Sequence, residues 1–229
     1  MKKNRVKERT MLDSLDALVE EHHLLKHPFY QAWTEGTLSR ESLQVYAEQY
    51  YHHVRSFPEN LRQLAIRANG SLAELVNENL SEELDASGSG RLWRQFAESV
   101  GVADADLDRV RPLPGVAAQL DTFDEIACEG TPAQAVAAFY AYEAQAPELA
   151  ALKISGLRRF YDINDAHALA YFLAHEEADV RHRAAWRGWL ASQKDADAFG
   201  VLCAAERILK ALWGALDAVY PQTYAAAKN

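Results

Sequence analysis

Apolar residues recur at steps of three and four along most of the chain, which is the spacing of one face of an α-helix. This pattern predicts helices over residues 11–25, 29–33 and 72–84, and a longer helix over residues 40–70. Pro58 lies inside the longer helix, and we expect a kink there because proline removes one backbone donor. The first third of the chain is therefore expected to be helical almost throughout.

The helical pattern continues through the middle of the chain. Helices are predicted over residues 92–101 and 116–128, before the strongest start signal of the sequence. This signal is a threonine at Thr131, followed by proline and, two residues later, glutamine, which is a capping box with proline at the first helical position. The helix that it starts should bend at Pro147 and reach Leu157.

Two more helix starts are predicted near the C-terminus. Asp165 should cap one helix, and Asp195 or Asp197 should start the last one, which runs to Tyr220. The total is seven or eight helices, and no segment has the alternating pattern of a strand. Helices of this length bury their apolar faces against one another, so the predicted fold class is an all-α bundle.

Composition indicates one domain rather than several. The chain has 229 residues, 49% of them hydrophobic, and no glycine-rich or proline-rich linker divides it. We therefore expect a single helical domain over residues 1–229, with residues 1–10 flexible and residues 222–229 as a tail.

Charge and cysteine content exclude several classes of partner. The net charge of -9 argues against a nucleic-acid-binding protein, since such proteins usually carry a basic surface. No run of 18 apolar residues is present, and no apolar segment follows the charged N-terminus, so neither a membrane span nor a signal peptide is expected. The two cysteines, Cys128 and Cys203, lie in apolar helical surroundings and are expected to be buried thiols of a cytoplasmic protein.

One helical segment carries the pattern of a metal site. His175, Asp179 and His182 are spaced i, i+4 and i+7, which places them on one face of a helix. We call these three residues the metal stripe. Two imidazoles and a carboxylate form half of a site for a transition metal such as iron or manganese. The alternative is a solvated polar face, or histidines that form hydrogen bonds in the core.

Acidic residues in other helices could complete such a site. Glu143 ends a run of nine residues that contains no other charge, and a carboxylate buried there is costly unless it is paired or bound to a metal. Glu82 and Glu83 are further candidates, although an exposed helix face explains them equally well. Lys153 lies ten residues after Glu143, and its simplest interpretation is a surface lysine.

Tyrosines are frequent near these helices, and other catalytic motifs are missing. Most tyrosines, among them Tyr30, are explained as core residues with a hydrogen-bonded hydroxyl. The sequence contains no phosphate-binding glycine loop, no dinucleotide-binding glycine pattern, no Cys-x-x-Cys pair and no nucleophile elbow. Hydrolase and nucleotide-dependent functions therefore receive no support.

Several stretches resemble the family of the Chlamydia protein associating with death domains, and the resemblance runs from about Leu12 to about Tyr220. This family is similar to the heme-oxygenase-like dimetal oxidases and is related to thiaminase-like and pyrroloquinoline-quinone-synthase-like proteins. The resemblance implies a heme-oxygenase-like helical bundle. The stretches that carry it are residues 27–33, 46–53, 79–83, 92–96, 142–143 and 175–182.

The resemblance also implies a function. Members of this family make p-aminobenzoate (4-aminobenzoate) for folate biosynthesis and are proposed to be self-sacrificing. Tyr30 matches the tyrosine that supplies the ring, and Lys153 matches the lysine that supplies the amino group. The implied cofactors are two iron or manganese ions, dioxygen and an external reductant. The metal ligands carried over from the family are Glu83, Glu143, His175, Asp179 and His182.

One implied ligand is missing from this sequence. Ser89 stands where the family has a histidine, within a Ser-Gly-Ser-Gly run that is about one residue shorter than the family pattern. The second metal position then has one ligand fewer, unless water or another side chain such as His27 or His52 replaces it. A single metal or an inactive site is the further alternative.

Two other classes of function stay open at this point. A thiaminase-like or pyrroloquinoline-quinone-synthase-like enzyme would act on an external small molecule over many turnovers. A non-catalytic interaction protein is the third class. The expected partners are small molecules, without nucleic acid or membrane, and a homodimer is left open.

Overall fold

The computed structural model describes residues 9–84 and 89–226, except for the side chains of Ser89, Glu177 and residues 221–226. These residues form α-helices with short connections and contain no β-strand, so the predicted all-α class is confirmed. In chain order the helices are α1 (Met11–Glu21), α2 (Pro28–Glu35), α3 (Arg40–Arg67), α4 (Gly70–Leu84), α5 (Ser89–Val100), α6 (Asp104–Leu107), α7 (Pro114–Glu129), α8 (Pro132–Glu143), α9 (Ala146–Phe160), α10 (Ala166–Ser192) and α11 (Ala198–Ala226).

The predicted capping box at the start of α8 is present. The Thr131 hydroxyl accepts a hydrogen bond from the Gln134 backbone N–H at 3.3 Å, and Gln134 Oε1 accepts one from the Thr131 N–H at 2.7 Å. Pro132 is the first residue of the helix, where its missing N–H is not needed. This start sets the position of α8, whose last residue is Glu143.

Aspartates cap the two C-terminal helices. The Asp165 carboxylate accepts a hydrogen bond from the Ala168 N–H at 3.2 Å and caps α10, as predicted. At the start of α11 the choice between Asp195 and Asp197 is settled for Asp197, whose carboxylate accepts a bond from a backbone N–H two residues later. Both helix ends are therefore fixed by local sequence.

The helix predicted to bend at Pro147 is instead two helices. Helix α8 ends at Glu143 and α9 begins at Ala146, so the proline lies in a first turn, where N–H groups have no acceptor within the helix. The first helix also ends earlier than predicted, at Glu21, and a separate 3-10 turn covers Leu24–Lys26. With the short α2 and α6, these breaks give eleven α-helices in the described residues, above the seven or eight expected.

The chain ends differ in part from the prediction. Thr10, which belongs to the segment expected to be flexible, caps α1 through a capping box. Helix α11 extends to Ala226, past the predicted end at Tyr220. Residues 87 and 88 of the Ser-Gly-Ser-Gly run lie outside the described residues, and α5 begins at Ser89, before the predicted start of that helix at residue 92.

Three helices meet at the centre of the bundle. Helix α10 packs against α5, α8 and α9, while α3 packs against α5, α7 and α11. Helix α4 lies against both α3 and α10. The core between them contains the fully buried indoles of Trp33, Trp93 and Trp186. This arrangement brings the inner face of α10 opposite α4 and the end of α8.

Two expectations from composition are tested by the helices themselves. Among the helices described, none combines the length and the apolar character that crossing a membrane would need. Cys128 and Cys203 are unpaired, as expected. Both are half-buried rather than buried, because neither lies on the face of its helix that carries the buried residues, so that part of the prediction is wrong.

A glycine sets the separation of α2 and α9. Gly156 packs against the buried Trp33, and a Cβ atom at this position would lie 2.5 Å from Trp33 Nε1. Lys153 lies one turn before the glycine, and Tyr30 lies one turn before the tryptophan. The absence of a side chain at residue 156 therefore allows the helices that carry Lys153 and Tyr30 to approach each other closely.

The contact between Gly156 and Trp33 predicts that alanine at residue 156 destabilises the protein, although alanine normally stabilises a helix relative to glycine. Gly156→Ala should lower the free energy of unfolding by about 1–3 kcal/mol, because a buried indole cannot move away without strain. Gly188→Ala on α10 is the matched control, since a Cβ atom there has open space. The control should raise stability by about 0.5–1 kcal/mol through helix propensity. Chemical denaturation measures both, and equal effects of the two substitutions would show that the close contact with Trp33 is unimportant.

Candidate metal centre and adjoining cavity

The metal stripe of α10 faces the end of α8. Asp179 and His182 are buried, and Glu143 is only 1% exposed. His182 Nδ1 lies 3.8 Å from Glu143 Oε2 and 3.7 Å from Asp179 Oδ1. Ligand atoms of these three residues all lie within 4.8 Å of one another. The two helices thus bring together three of the predicted metal ligands.

Two hydrogen-bond donors hold the Glu143 carboxylate in place. Asn79 Nδ2 donates to Oε1 at 3.1 Å, and Trp186 Nε1 donates to Oε2 at 2.7 Å. Burial nevertheless raises the pKa of Glu143 to about 8, and the charge of Asp179 acts in the same direction. The two buried carboxylates therefore need positive charge beside them, which a proton or a metal ion can supply.

His182 is oriented by a second carboxylate on its other side. Its Nε2 lies 3.1 Å from Glu82 Oε2, and Arg181 holds Glu82 through two bonds of 3.0 and 3.1 Å. Burial by itself would lower the pKa of His182, but the nearby carboxylates outweigh it and raise the pKa to about 9. The ring therefore presents Nδ1 to Glu143 and Asp179, with a carboxylate behind it of the kind that orients metal-binding histidines.

The fourth and fifth predicted ligands form a neighbouring pair. His175 Nε2 lies 3.8 Å from Glu83 Oε1. The other ring nitrogen, Nδ1, donates to the Tyr171 backbone carbonyl at 2.7 Å, and this bond directs Nε2 toward Glu83. His175, Glu83 and Asp179 border one small cavity, which connects this pair to the first three residues.

The residues of this centre fit a transition metal. Asp179 Oδ2 and His182 Nδ1 are buried and have no hydrogen-bond partner among the described residues, which is costly unless something else binds them. Carboxylate and imidazole ligands together suit iron or manganese. The group of Glu143, Asp179 and His182 can therefore hold a metal ion.

An aromatic cavity adjoins the metal centre. Tyr30 and Lys153 line it together with His175 and Asp179, so the two residues matched to the family's ring and amine sources lie beside the metal stripe. The Lys153 ammonium nitrogen lies 5.5 Å from the centre of the Tyr30 ring. Tyr30 is 2% exposed, and its hydroxyl lies 3.3 Å from that of Tyr46.

Lys153 is buried, contrary to the simplest interpretation of its sequence position. It is 4% exposed, and its nitrogen lies between 5.1 and 5.5 Å from the centres of four aromatic rings. Burial lowers the pKa of Lys153 to about 7, and only the charge of Asp179 opposes this shift. Burial also raises the pKa of Tyr30 above its usual range. The cavity therefore favours a neutral amine next to a neutral phenol.

Two histidines, His27 and His52, were expected as possible substitutes for the missing ligand. His52 borders neither the aromatic cavity nor the small cavity. His27 caps α2 with Nδ1, at 3.0 Å from the Phe29 N–H, and its Nε2 lies 3.1 Å from Asp217. Both ring nitrogens of His27 are therefore engaged, one at the start of α2 and the other with Asp217 of α11. The side chain of Ser89 lies outside the described residues.

Sequence reasoning missed the residues that hold the ligands. Trp186 lies four residues after His182 and continues the face of the metal stripe, so its position was available from the spacing. Asn79 was visible only as part of a family motif. Arg181 gave no signal, because its role depends on Glu82, which lies 99 residues away in the chain.

Comparisons with known proteins agree with this architecture. Residues 13–190 match the model of the TENA/THI-4/PQQC family. A 4-aminobenzoate synthase of Chlamydia muridarum is 36% identical over 216 residues, which cover 93% of this chain and 92% of the relative. A 4-aminobenzoate synthase of Nitrosomonas europaea is 35% identical, covering 92% and 91%.

A more distant relative and two solved structures extend the comparison. A pyrroloquinoline-quinone synthase of Pseudomonas aeruginosa is 28% identical over 171 residues, covering 70% of this chain and 67% of the relative. A TenA homologue from Pseudomonas syringae has a TM-score of 0.80 at 15% identity, covering 92% and 91% of the two chains. A CADD-like protein from Nostoc punctiforme has a TM-score of 0.71 at 18% identity, covering 91% and 98%.

A protein from Shewanella denitrificans whose structure is described as a heme oxygenase-like fold has a TM-score of 0.78 at 18% identity, covering 91% and 89% of the two chains. This likeness establishes the heme-oxygenase-like fold, and the sequence matches establish the family. The two relatives that are more than one third identical to this chain are enzymes, and the match covers almost the whole length of this chain. The chain therefore belongs to the TENA/THI-4/PQQC family and is an enzyme with a heme-oxygenase-like fold.

Proposed function

We propose that this enzyme makes 4-aminobenzoate, for folate biosynthesis, from its own Tyr30. The names of the relatives support the product. The observation that carries the proposal is the placement of the Lys153 nitrogen 5.5 Å from the Tyr30 ring, in a cavity that also reaches His175 and Asp179. Ring source, amine source and metal stripe thus share one enclosed space.

The carbon skeleton of the product matches the tyrosine side chain. Six carbons of 4-aminobenzoate are the ring of Tyr30, and the Cβ atom supplies the carboxylate carbon when the Cα–Cβ bond breaks. The phenol oxygen is replaced by nitrogen, for which the Lys153 amine is the nearby source. Each molecule would then complete one turnover, because the side chain is consumed.

We assign the metal-binding role to five residues, of which His175 and Asp179 line the aromatic cavity. Two iron or manganese ions, together with dioxygen and an external reductant, supply the oxidising power that removes electrons from a phenol and breaks a carbon–carbon bond. The protein contributes positions, a dry environment and fixed ligand orientation. The assigned ligands are Glu83, Glu143, His175, Asp179 and His182.

The aromatic cavity prepares both reacting side chains. The rings around Lys153 lower the pKa of its amine to about 7, so that about half of it is neutral with a free lone pair at pH 7. The Tyr46 hydroxyl, 3.3 Å from the Tyr30 hydroxyl, can orient the phenol through a hydrogen bond. The chain itself therefore provides a nucleophile and a hydrogen-bond partner that orients the ring.

Removing the hydroxyl of Tyr30 should abolish product formation. Tyr30→Phe keeps the ring and the packing but removes the oxidisable phenol, so 4-aminobenzoate should fall to background after addition of metal, reductant and oxygen. Tyr140→Phe is the matched control, because Tyr140 donates its hydrogen bond to Asp16 and borders neither cavity. Chromatography of the filtrate measures the product. Undiminished product from Tyr30→Phe would remove this residue from the reaction.

The role of Lys153 predicts a pH dependence with a definite sign. An amine with a pKa of about 7 is mostly neutral at pH 8 and mostly protonated at pH 6, so product formation should be roughly 10-fold slower at pH 6. Lys153→Arg stays charged at both values and should form no product. The metal content is measured at each pH, so that loss of metal is separated from protonation. Normal yield from Lys153→Arg would exclude the lysine as the amine source.

Metal affinity should depend on Glu82 although it is not an assigned ligand. Glu82→Gln weakens the contact that orients His182, and a loss of this kind typically lowers metal affinity by about 10- to 100-fold. Glu78→Gln, at an exposed position one turn earlier on α4, is the matched control. Affinity for Mn(II) is measured by competition with a chelating dye.

The affinity for Mn(II), measured in the same titration, should depend on pH. Affinity should rise between pH 6.5 and 8.5, because bound metal displaces protons from Glu143 and His182, whose pKa values are raised to about 8 and 9. His182→Ala should lose most of the metal. Full metal retention in that variant would mean that the metal stripe is structural.

A further inference from the structure

His53 on α3 faces both the aromatic cavity and the smaller cavity at the metal centre. It is 3% exposed, and its ring packs edge-on against the ring of Tyr142, 4.5 Å between centres. The small cavity is also bordered by Glu83, His175 and Asp179. No hydrogen-bond partner of His53 Nε2 occurs in the part of the chain that the structure describes. His53 therefore carries a buried polar atom and borders the same space as three of the assigned ligands.

The other ring nitrogen of His53 is held by Gln119 on α7. Gln119 is 2% exposed, and its Nε2 lies 3.1 Å from His53 Nδ1. An amide nitrogen is a donor, so Nδ1 must be the acceptor, and the proton of the neutral imidazole is then on Nε2. Burial, together with the charges of Lys153 and His175, lowers the pKa of His53 to about 3, which keeps the ring neutral. His53 is thus a neutral N–H donor.

This donor has no acceptor among the residues that the structure describes. Leaving a buried N–H unpaired is costly, and a small ligand with a lone pair could recover that cost by accepting the bond. Its neighbours Val54 and Phe57 also border the small cavity and leave the rest of that wall of α3 apolar. The cavity therefore offers one hydrogen-bond donor opposite the residues assigned to the metal.

We propose that His53 is a positioning residue that donates a hydrogen bond from Nε2 to a small ligand, such as dioxygen or water, in the cavity bordered by Glu83, His175 and Asp179, and that Gln119 fixes the required tautomer. This inference rests on the proposed metal centre for the ligand. The tautomer and its control by Gln119 are properties of the chain alone.

The first arm of the test uses the protein without metal. Nuclear magnetic resonance of nitrogen-15-labelled histidine distinguishes the two neutral tautomers, with His53→Phe used to assign the signals. The wild-type protein should show the proton on Nε2. Gln119→Glu replaces the amide donor by a carboxylate acceptor and should move the proton to Nδ1. A proton on Nδ1 in the wild type, or no change in Gln119→Glu, would overturn the proposal.

The second arm measures a ligand in the cavity, with azide as the probe and cobalt(II) as a coloured metal that does not support the oxidation. His53→Phe should weaken azide binding roughly 10-fold at unchanged cobalt content, because one hydrogen bond to an anion is lost. Gln119→Glu keeps the ring and should weaken binding by a similar factor. His167→Phe is the control, since His167 is exposed on α10, borders neither cavity and should leave azide binding unchanged.

The outcomes separate this inference from the proposed function. Equal azide affinity in wild type, His53→Phe and Gln119→Glu would overturn the role of His53 even if 4-aminobenzoate is formed. Failure of the wild type to bind cobalt would contradict the metal centre, and the tautomer measurement would still decide the role of Gln119. Melting temperatures of the variants show whether each substitution leaves the bundle folded.

Discussion

The burial of two carboxylates, Glu143 and Asp179, beside His182 is the constraint on which the centre of this structure depends. Charged groups in a protein interior are costly unless they are paired or bound to metal. The pKa values of Glu143 and His182 are both raised, so protons are retained near neutral pH. A divalent cation replaces those protons, and the packing of α8 against α10 is therefore linked to metal binding.

Helix α10 connects this centre to the cavity in which the reaction is proposed. His175 and Asp179 border both spaces, so the same rigid element positions metal ligands and encloses Lys153 and Tyr30. The opposite wall is set by the contact of Gly156 with an indole, which allows α9 and α2 to approach. Both reacting side chains are thus held on packed helices rather than on loops, which favours a fixed distance between amine and ring.

The features that depend on local spacing were predictable from the sequence, and those that depend on tertiary packing were not. The helix that carries the metal stripe and the capping box at Thr131 follow from helix periodicity and cap chemistry, and both of these elements are present. The break before Pro147 was missed because proline is tolerated both at a kink and in a first turn. The burial of Lys153 and the Gln119–His53 contact join helices far apart in sequence, so no local pattern reports them.

The central claim is that the protein consumes its own tyrosine, and intact-protein mass spectrometry with peptide mapping tests it most directly. The protein is supplied with iron or manganese, a reductant and oxygen, and with no organic substrate. The account predicts the loss of one tyrosine side chain, mapped to Tyr30, with an equal amount of 4-aminobenzoate in the filtrate. An unchanged mass, with product formed over many turnovers only after a small molecule is added, would contradict it.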